Sequence, residues 1–531
     1  MTGRASPRGP HSPPSARTPI KTRRRPWPSA EARTASAASR REVDGYVVAL
    51  DIGTSSVRAL LFDFAARQVP RVEVHTKYEP RVAPDGTYET DAEKLFGLVA
   101  ASIDAILHEA GPRRRRRVRA IGVSTFWHGL VAVDAGAKPL SPLYLWADTR
   151  AWRQADRLRE ELDAGAVHQR TGCLLHPSYW PAKLLWLQEA EPRLFERRDV
   201  RWLSFWDLVH QRLFGEPMTS VSMASGTGLL TLVDCVWDER LLNLLGVDRA
   251  SLPEMGEAGE GLSRSWAVRW PELRDVPWIC AAGDGALANF GSGCNDTRER
   301  ALTVGTSGAL RVLYRGLPSH IPDGLWCYRL DRRRAVCGGS FSNGGNLYAW
   351  MTANLAVDRA TLERRLRRLR PASHGLTFVP LLAGERSPGW ASHATGAIAG
   401  LTQATTAVDI VRAGLEAAAI EFRRVDERLD EVLPGAHRLV ANGAGLLASA
   451  AWMQVMADAI GKPVAASRAR EASARGAALL ALEHIGVLEG HRVKPDVGRI
   501  YEPDPDVAAA YAEETRRQER LYELLVADRA L

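Results

Sequence analysis

Cysteine is scarce in this sequence of 531 residues, and long hydrophobic runs are missing. The six cysteines form no Cys-x-x-Cys pair and have no histidine at ligand spacing, which argues against a disulfide framework and a zinc site. This cysteine usage favours a reducing, cytoplasmic environment. No uninterrupted apolar run approaches the roughly 20 residues that a membrane-spanning helix needs, so we expect a soluble protein without a membrane partner.

Net charge is almost absent once the first 44 residues are set aside. The chain carries a formal charge of +8, but residues 1–44 hold ten Lys and Arg against three Asp and Glu. The nearly neutral remainder, and the lack of aromatic residues within the basic run 113–117, argue against nucleic acid as a partner. Residues 1–44 are rich in Pro, Ser, Ala and Arg without apolar periodicity, which predicts a disordered basic tail. An organellar transit peptide is the alternative.

The length and the 45% apolar composition predict at least two domains. Strand-like runs lie at 46–50, 57–62, 120–124, 301–304, 375–380 and 438–441, and helix-like runs lie at 91–110, 406–433, 448–460 and 472–485. Their alternation indicates an α/β protein. We expect the tail at 1–44, an N-terminal domain at 45–292, a C-terminal domain at 293–490 and a helical extension at 491–531.

Each half of the chain opens on a strand that ends in a turn of Gly, Thr and Ser. Residues 46–62 read as a β-hairpin whose tip is DIGTSS (51–56), and residues 303–308 read TVGTSG. Small residues let the backbone lie against phosphate oxygens. Two such turns suggest two similar lobes around a cleft.

Phosphoryl transfer needs backbone N–H groups for the phosphates, a carboxylate for Mg²⁺ and a base at the accepting hydroxyl. Asp51, at a strand end, can reach Mg²⁺ through water, and Arg58 adds a cation nearby. Asp284 lies between two glycines at a strand–helix junction, where a carboxylate suits a general base. The ordinary alternatives are a tight hairpin for 51–56 and a helix N-cap for Asp284.

Two further glycine turns complete this pattern. Gly305 and Thr306 follow a predicted strand, and NGAG (442–445) precedes a predicted helix. Glycine at these places would let the backbone lie against the β- and γ-phosphates and against the nucleoside.

In this order and spacing, the segments resemble the FGGY family of carbohydrate kinases over roughly residues 45–490. DIGTSSVR (51–58) is followed by LWADTR (145–150), similar to the family's W-x-D-x-R segment, and by HPSYWPAKLLWL (176–187), similar to its first signature. GAIAGL (396–401) and DIVRAGLE (409–416) are similar to the second signature, with departures at Trp180 and Gly414. The resemblance implies an α/β fold with two ribonuclease H/actin-like ATPase domains flanking a catalytic cleft, and ATP with Mg²⁺ as cofactors.

The resemblance also implies roles for individual residues. Asp284 would be the base for the sugar hydroxyl, and Asp51 and Asp284 would lie near the metal. The residues that it assigns to the ATP side are Thr54, Ser55, Arg58, Gly305, Thr306, Gly443, Ala444 and Gly445, together with Asp51. The residues assigned to the substrate are Trp127, His128, Trp146, Asp148, Arg150, Lys183, Asp284 and Arg386.

The expected substrate is gluconate, because GERSPGW (384–390), LWADTR and the first signature most resemble the gluconokinase branch of the family. Gluconate carries a carboxylate, and Lys183, Arg150 or Arg386 could bind it, an arginine in the planar bidentate way. Each cation also has a structural alternative, since Lys183 begins an amphipathic helix and Arg386 could pair with Glu385.

Three other functions stay open at this point. The chain could be a kinase for xylulose, ribulose or another polyol, a catalytically silent sugar-binding regulatory protein, or another actin-fold ATPase such as a chaperone or filament protein. Retention of Asp51 and Asp284 argues against the silent protein, and the W-x-D-x-R segment argues against the last. A homodimer is compatible with the sequence but not required by it.

Overall fold

The computed structural model describes residues 2–3, 45–435, 437–490 and 493–527. The basic tail predicted at 1–44 therefore lies almost entirely outside the described residues. The chain from Gly45 to Leu531 forms one compact unit. The domain boundaries predicted inside this unit stay predictions.

In the part of the chain that the structure describes, the first half of the unit contains strands of two to ten residues and ten α-helices. Its strands are β1 (Tyr46–Ile52), β2 (Ser56–Asp63), β3 (Gln68–Lys77), β4 (Arg81–Val82), β5 (Tyr88–Thr90), β6 (Val118–Thr125), β7 (Val131–Val133), β8 (Leu143–Tyr144), β9 (Arg201–Leu203), β10 (Met218–Thr219), β11 (Leu230–Thr231), β12 (Val236–Trp237), β13 (Glu254–Met255), β14 (Ala258–Gly259), β15 (Trp278–Ile279) and β16 (Ala282–Gly283). Its helices are α1 (Ala92–Arg115), α2 (Trp152–Glu161), α3 (Ala164–Thr171), α4 (Trp180–Ala190), α5 (Pro192–Glu196), α6 (Phe205–Phe214), α7 (Val221–Ser225), α8 (Glu239–Leu244), α9 (Arg264–Arg269) and α10 (Asp284–Gly291).

A seven-stranded sheet, here called the first sheet, organises this half. Its strand order is β14-β15-β6-β1-β2-β3, and β16 also pairs with β6. β1 and β2 are antiparallel, which confirms the predicted hairpin, whereas β6 runs parallel to β1, β15 and β16. Asp91 is the N-cap of helix α1, and its carboxylate accepts hydrogen bonds from the N–H groups of Glu93 and Lys94.

The second half repeats this plan with longer helices. Its strands are β17 (Glu299–Val304), β18 (Gly308–Arg315), β19 (Trp326–Arg329), β20 (Arg334–Phe341), β21 (Thr377–Val379), β22 (Ala397–Ala399), β23 (Arg438–Asn442), β24 (Val464–Ser467) and β25 (Val497–Tyr501). Its helices are α11 (Gly345–Asn354), α12 (Arg359–Leu366), α13 (Ala407–Val432), α14 (Ala444–Leu447), α15 (Ala450–Ile460), α16 (Ala472–His484) and α17 (Ala508–Tyr522).

The second sheet has the strand order β19-β20-β18-β17-β23-β24-β25. As in the first sheet, an antiparallel hairpin with a third antiparallel strand lies on one side, and parallel strands lie on the other, ending in an antiparallel edge strand (β14 in the first sheet, β25 in the second). The long helix α13 covers this sheet and begins with a capping box, in which Thr406 and Asp409 each accept a hydrogen bond from the backbone N–H of the other. The two sheets are the two similar lobes that the repeated turns predicted.

Helix α16 comes late in the chain but packs on the first sheet. Its buried Ala and Leu side chains belong to the same hydrophobic core as β1 and β6, and the helix lies against α10. The approach is close, because a Cβ at Gly476 would collide with the carbonyl oxygen of Leu287. The core of the first lobe therefore includes residues from the segment 293–490.

Two further features concern the helices and the cysteines. Among the described residues, no helix is long and apolar enough to cross a membrane. The six cysteines are free thiols, and all of them are buried.

Candidate active site

The carboxyl ends of three parallel strands meet at one edge of the first sheet. Asp51 of β1 and Ala282 of β16 both pair with Ser124 of β6, so these three residues lie in line across the sheet. The segments that follow β6 and β16 carry Trp127 and Asp284. Ligands of open α/β sheets bind at this kind of edge, and the register alone brings these predicted site residues together.

Asp284 is the first residue of α10 and is half-buried. Its Oδ1 accepts a hydrogen bond of 2.7 Å from the N–H of Gly285. Burial raises the pKa of Asp284 to about 6, against the opposing charge of Arg311 and together with the like charge of Asp51. A carboxylate with this pKa can accept a proton near neutral pH, which a general base requires.

Asp51 is only 3% exposed and forms an ion pair with Arg58, whose Nη2 lies 3.2 Å from its Oδ2. The other terminal nitrogen of Arg58 pairs with Glu471, the residue before α16. Burial raises the pKa of Asp51, and Arg58 opposes that rise. Arg58 therefore links the end of β1 to the start of α16 through two carboxylates.

The tip of the β1–β2 hairpin presents Thr54, which is half-buried, and Ser55, which is exposed. Tyr78 holds the tip from the side: its hydroxyl donates to the carbonyl oxygen of Gly53 at 2.7 Å, and its N–H donates to that of Ser55 at 3.0 Å. Sequence reasoning missed Tyr78, because nothing near residue 78 carries a motif.

The glycine turns of the second lobe lie side by side. β17 and β23 are parallel, with Thr303 opposite Asn442, so the turns that follow them share an edge of the second sheet. Gly443, which precedes Ala444, has φ +94°, and a Cβ there would collide with the carbonyl oxygen of Val304. The N–H of Gly345 donates to the carbonyl oxygen of Gly305 at 2.8 Å.

This arrangement is a cradle of backbone, defined by Gly305, Thr306, Gly345, Gly443 and Gly445. The N–H of Asn346 donates to the carbonyl oxygen of Thr306 at 3.0 Å, so the start of α11 is part of the cradle. Sequence reasoning did not single out Gly344 and Gly345, since the run SNGG (342–345) reads as an ordinary loop.

Trp127 fixes the segment after β6 against the segment that carries Asp284. Its indole N–H donates to the carbonyl oxygen of Ser222 at 3.0 Å, and the hydroxyl of Ser222 accepts from the N–H of Gly283 at 3.1 Å. The indole lies against Gly283 so closely that a Cβ there would collide with the ring. Its centroid is 4.9 Å from that of Tyr328, which belongs to the second sheet.

His128 is buried and adopts φ +68°. Its Nδ1 contacts the carbonyl oxygen of Gly226, and its ring lies 4.9 Å from that of Tyr179. Burial lowers the pKa of His128 to about 3, and the cations Arg386 and Lys183 lower it further, although the carbonyl of Gly226 opposes this. The imidazole is therefore neutral at pH 7, and with Nδ1 as the donor its Nε2 is an acceptor.

The W-x-D-x-R segment forms an ion network in addition to its predicted place near the substrate. Nη2 of Arg150 lies 2.6 Å from carboxylate oxygens of both Asp148 and Glu89. The guanidinium also lies 4.7 Å from the ring centroid of Trp186. These contacts hold Arg150 within the protein, and the half-buried Trp146 is the member of the segment that faces Arg386, whose Cζ is 5.0 Å from its ring centroid.

Lys183 is 1% exposed, and its ammonium group donates to two carbonyl oxygens, of His128 at 2.9 Å and of Leu145 at 2.8 Å. These two carbonyls belong to the two segments that carry the predicted substrate residues. Burial lowers the pKa of Lys183 to about 7, although Asp148 opposes this. Lys183 therefore connects the two segments. Because protein groups already engage Lys183 and Arg150, the geometry favours Arg386 as the cation that faces a ligand.

Replacement of Lys183 by Met is expected to lower the free energy of unfolding by about 3 kcal/mol, because two buried carbonyl oxygens lose their donors. The folded pKa near 7 lies below the ordinary value of 10.5, so the unfolded chain binds more protons between these values and native stability from this group rises with pH. The deficit of the variant should therefore be larger at pH 9 than at pH 7. Urea denaturation at both pH values measures it.

The exposed Lys94 provides the control, since Lys94→Met makes the same change on the surface of α1. This variant should match the parent protein at both pH values. An equal effect of the two substitutions would contradict the role of Lys183.

The positive charges of Arg311 and Arg386 both lower the pKa of Asp284. Among the residues that the structure describes, no hydrogen-bond partner reaches the buried Nε of Arg386 or the buried Nη1 of Arg311. Burial lowers the pKa of both guanidinium groups. Arg311 was missed by sequence reasoning, because it occupies an ordinary position in the strand β18.

Aromatic rings surround Arg386. Trp390 lies 5.9 Å away on the same loop and contacts His176, with 4.9 Å between ring centroids. The hydroxyls of Tyr179 and Tyr328 are hydrogen-bonded at 2.6 Å, and both tyrosines influence the pKa of Arg386. The two lobes therefore meet at a half-buried cation with indole, imidazole and phenol groups around it, which suits a polyhydroxylated anion.

Another charged cluster lies away from this site. Asp426, Asp430 and His437 have ligand-type atoms within 4.8 Å of one another. Arg300 and Lys462 form ion pairs with both aspartates, so the negative charge is already balanced by protein cations. The cluster links α13 to β17 and β23 and gives no reason to infer a metal.

Comparison with known proteins agrees with this geometry. The model of the N-terminal domain of the FGGY family of carbohydrate kinases matches residues 46–291, and that of the C-terminal domain matches residues 301–483. The chain belongs to the FGGY family of carbohydrate kinases. FGGY kinases are ATP-dependent phosphotransferases that act on small sugars and related molecules, so the predicted family and reaction class are confirmed.

Several FGGY kinases resemble the chain over most of its length. Gluconokinase of Bacillus subtilis (strain 168) is 29% identical, and the alignment covers 87% of this chain and 92% of the relative. Glycerol kinase of Clavibacter michiganensis subsp. michiganensis is 30% identical over 91% of this chain and 97% of the relative. The crystal structure of gluconate kinase from Lactobacillus acidophilus superimposes with a TM-score of 0.84 at 24% identity, over 91% of this chain and 98% of that one. The FGGY fold with two actin-like ATPase domains is thereby confirmed.

Proposed function

We propose that this FGGY kinase transfers the γ-phosphoryl group of ATP to a hydroxyl of gluconate in the cytoplasm. The observation that carries the choice of a sugar acid is Arg386. Its half-buried guanidinium is bounded by Trp146 and Trp390 and, within the described part of the chain, takes part in no ion pair. A bound carboxylate would give this cation the partner that a buried charge requires.

Asp284 is the proposed base. Its carboxylate lies where the parallel strands of the first sheet end and is within electrostatic reach of Arg386. A sugar acid whose carboxylate contacts Arg386 can therefore present a hydroxyl to Asp284. The carboxylate would take the proton of that hydroxyl as its oxygen attacks the γ-phosphorus and ADP leaves.

The residues present fit Mg·ATP. Within the backbone cradle, Gly345 and Gly443 have no room for a side chain, which keeps the backbone exposed as a surface that contacts phosphates requires. Asp51, with Asp284 nearby, would hold Mg²⁺. Burial and the like charge of a neighbouring carboxylate raise the pKa of both carboxyl groups, and a bound cation would stabilise their charged forms. When bound, the metal ion would neutralise negative charge on the phosphates.

The direct test measures ADP release by the purified protein with Mg·ATP and a panel of acceptors. Gluconate and glucitol form the decisive pair, because they differ only in the carboxylate. We expect turnover on gluconate at least about 100-fold faster in kcat/KM than on glucitol, xylulose, ribulose or glycerol, which corresponds to roughly 3 kcal/mol. Equal turnover on a neutral polyol would retain the kinase and discard the carboxylate site, and no turnover on any acceptor would favour a silent sugar-binding protein.

Replacement of Arg386 by Gln is expected to lower kcat/KM for gluconate by about 100-fold, because a charge-assisted bidentate contact is lost in a half-buried site. The KM for ATP should stay within about twofold of the parent value. Steady-state kinetics with gluconate varied at saturating ATP, and the reverse, measures both.

Arg386→Lys keeps the charge without the planar pair of donors and should fall between the parent and Arg386→Gln. If Arg386→Gln lowered kcat/KM equally for gluconate and for a slow neutral acceptor, the guanidinium would act on the fold of the site and not on the carboxylate.

A further inference from the structure

The loop that carries Arg386 is closed around the side chain of Glu385. This carboxylate is 3% exposed and accepts hydrogen bonds from the N–H of Gly389 at 3.0 Å and from that of Ala391 at 3.4 Å. The N–H of Glu385 also donates to the carbonyl oxygen of Ala391 at 3.0 Å. The backbone on both sides of Arg386 is therefore fixed by Glu385.

The third hydrogen-bond donor to the Glu385 carboxylate comes from helix α17. Tyr522, the last residue of α17, donates its hydroxyl to Oε2 of Glu385 at 2.7 Å. The hydroxyl packs against the loop itself, because a Cβ at Gly389 would collide with it. Burial raises the pKa of Glu385, and the bonds from Tyr522, Gly389 and Ala391 oppose that rise.

Helix α17 has its own attachment to the second lobe. Gln518 donates to the carbonyl oxygens of Phe378 at 3.0 Å and of Ala417 at 3.3 Å. Tyr511 is fully buried, and its hydroxyl lies 3.3 Å from both Arg412 and Glu416. The position of Tyr522 relative to the sheet is thus determined independently of the loop.

We propose that the C-terminal helix α17 positions Arg386 through the hydrogen bond from Tyr522 to Glu385, so that Tyr522 is a positioning residue for recognition of the acid substrate. This inference rests on the proposed role of Arg386. The guanidinium has few direct anchors among the described residues, since its Nε has no partner. Its orientation therefore depends on the backbone of the loop, and the loop depends on a buried carboxylate that needs all its donors.

Tyr522→Phe removes the hydroxyl without changing the packing of the ring. We expect the KM for gluconate to rise about 3- to 10-fold, the range that corresponds to loss of one hydrogen bond to a charged group. The kcat and the KM for ATP should stay within twofold of the parent values. The amide hydrogens of Gly389 and Ala391 should exchange faster, which hydrogen-exchange mass spectrometry on the loop measures without any substrate.

Tyr511→Phe is the matched control, because it removes a hydroxyl from the same helix without touching the loop. It should lower the melting temperature and leave the KM for gluconate unchanged. In the background of Arg386→Gln, Tyr522→Phe should have no further effect on KM, as a double-mutant cycle requires when one residue acts through the other.

The failures of the two proposals can be told apart. If Arg386→Gln lowers affinity but Tyr522→Phe changes neither KM nor exchange in the loop, the positioning role is overturned and the carboxylate site stands. If Tyr522→Phe accelerates exchange but Arg386→Gln leaves gluconate kinetics unchanged, the loop attachment stands and the proposed role of Arg386 fails, and with it the effect of Tyr522 on specificity. A rise in KM as large for Tyr511→Phe as for Tyr522→Phe would also overturn the specific role of Tyr522.

Discussion

Replacement of Asp284 by Asn is expected to lower kcat by about 1000-fold or more and to leave the Kd for ATP within about twofold of the parent value. The carboxylate is the only proposed proton acceptor at the edge where the parallel strands of the first sheet end, and loss of a general base costs about 10²- to 10⁴-fold. Asn keeps the size of the side chain and removes its basicity. Single-turnover kinetics and calorimetric titration with ATP separate the two effects.

The structure offers a matched control in Asp207, a buried carboxyl whose pKa is likewise raised by burial to about 6. Asp207 forms the capping box of α6 with Ser204 and belongs to no proposed site. Asp207→Asn makes the same chemical change in a similar environment and should retain turnover. Full activity of Asp284→Asn, or equal loss in both variants, would contradict the assignment of the base.

The pH dependence gives the same assignment an independent check. A base works when it is deprotonated, so kcat/KM should rise tenfold per pH unit below about pH 6 and level off above it. The raised pKa also means that folding disfavours the charged form, so at pH 8 the native carboxylate destabilises the protein. Asp284→Asn should therefore melt no lower than the parent protein at that pH, although it is inactive.

Local sequence patterns were enough to predict the elements that frame the site. The helix predicted at 406–433 is observed at Ala407–Val432, and the hairpin predicted at 46–62 forms with its turn at 53–55, inside the DIGTSS segment. Both segments combine clear periodicity with a strong end signal, a capping box or a small-residue turn. The sequence also placed Asp51 and Asp284 each at a strand end, but the common edge that brings them together follows from the strand register, which local patterns do not predict.

Residues whose contacts depend on distant partners could not be assigned in this way. Lys183 donates to backbone carbonyls at residues 128 and 145, and a carbonyl oxygen leaves no trace in the sequence. Arg150 carried a motif that pointed to substrate, but its partner Glu89 lies 61 residues away in the chain. Arg311 and Tyr522 lacked any local signal, since one is an ordinary strand position and the other is the end of a helix.

Asp51→Asn is the second change from which we expect a large loss, about 100-fold in kcat, together with a requirement for higher Mg²⁺ concentration. Asp51 is almost fully buried beside Arg58, and it is the residue proposed above to hold the metal ion. The neutral amide would leave Arg58 with Glu471 as its remaining carboxylate partner and would weaken the attraction for a divalent cation. The loss corresponds to roughly 3 kcal/mol of charge stabilisation.

The measurement that separates metal binding from catalysis uses Mn²⁺ as the probe. Electron paramagnetic resonance of Mn²⁺ with the parent protein and ADP reports binding without turnover, and Asp51→Asn should shift the titration to concentrations at least about tenfold higher. Asp63→Asn, at the far end of the same hairpin, changes a carboxylate that pairs with Arg67 on the surface and should leave both the titration and kcat unchanged. A normal Mn²⁺ titration with low kcat in Asp51→Asn would assign Asp51 to the orientation of Arg58, whereas normal values of both would remove it from the phosphate site.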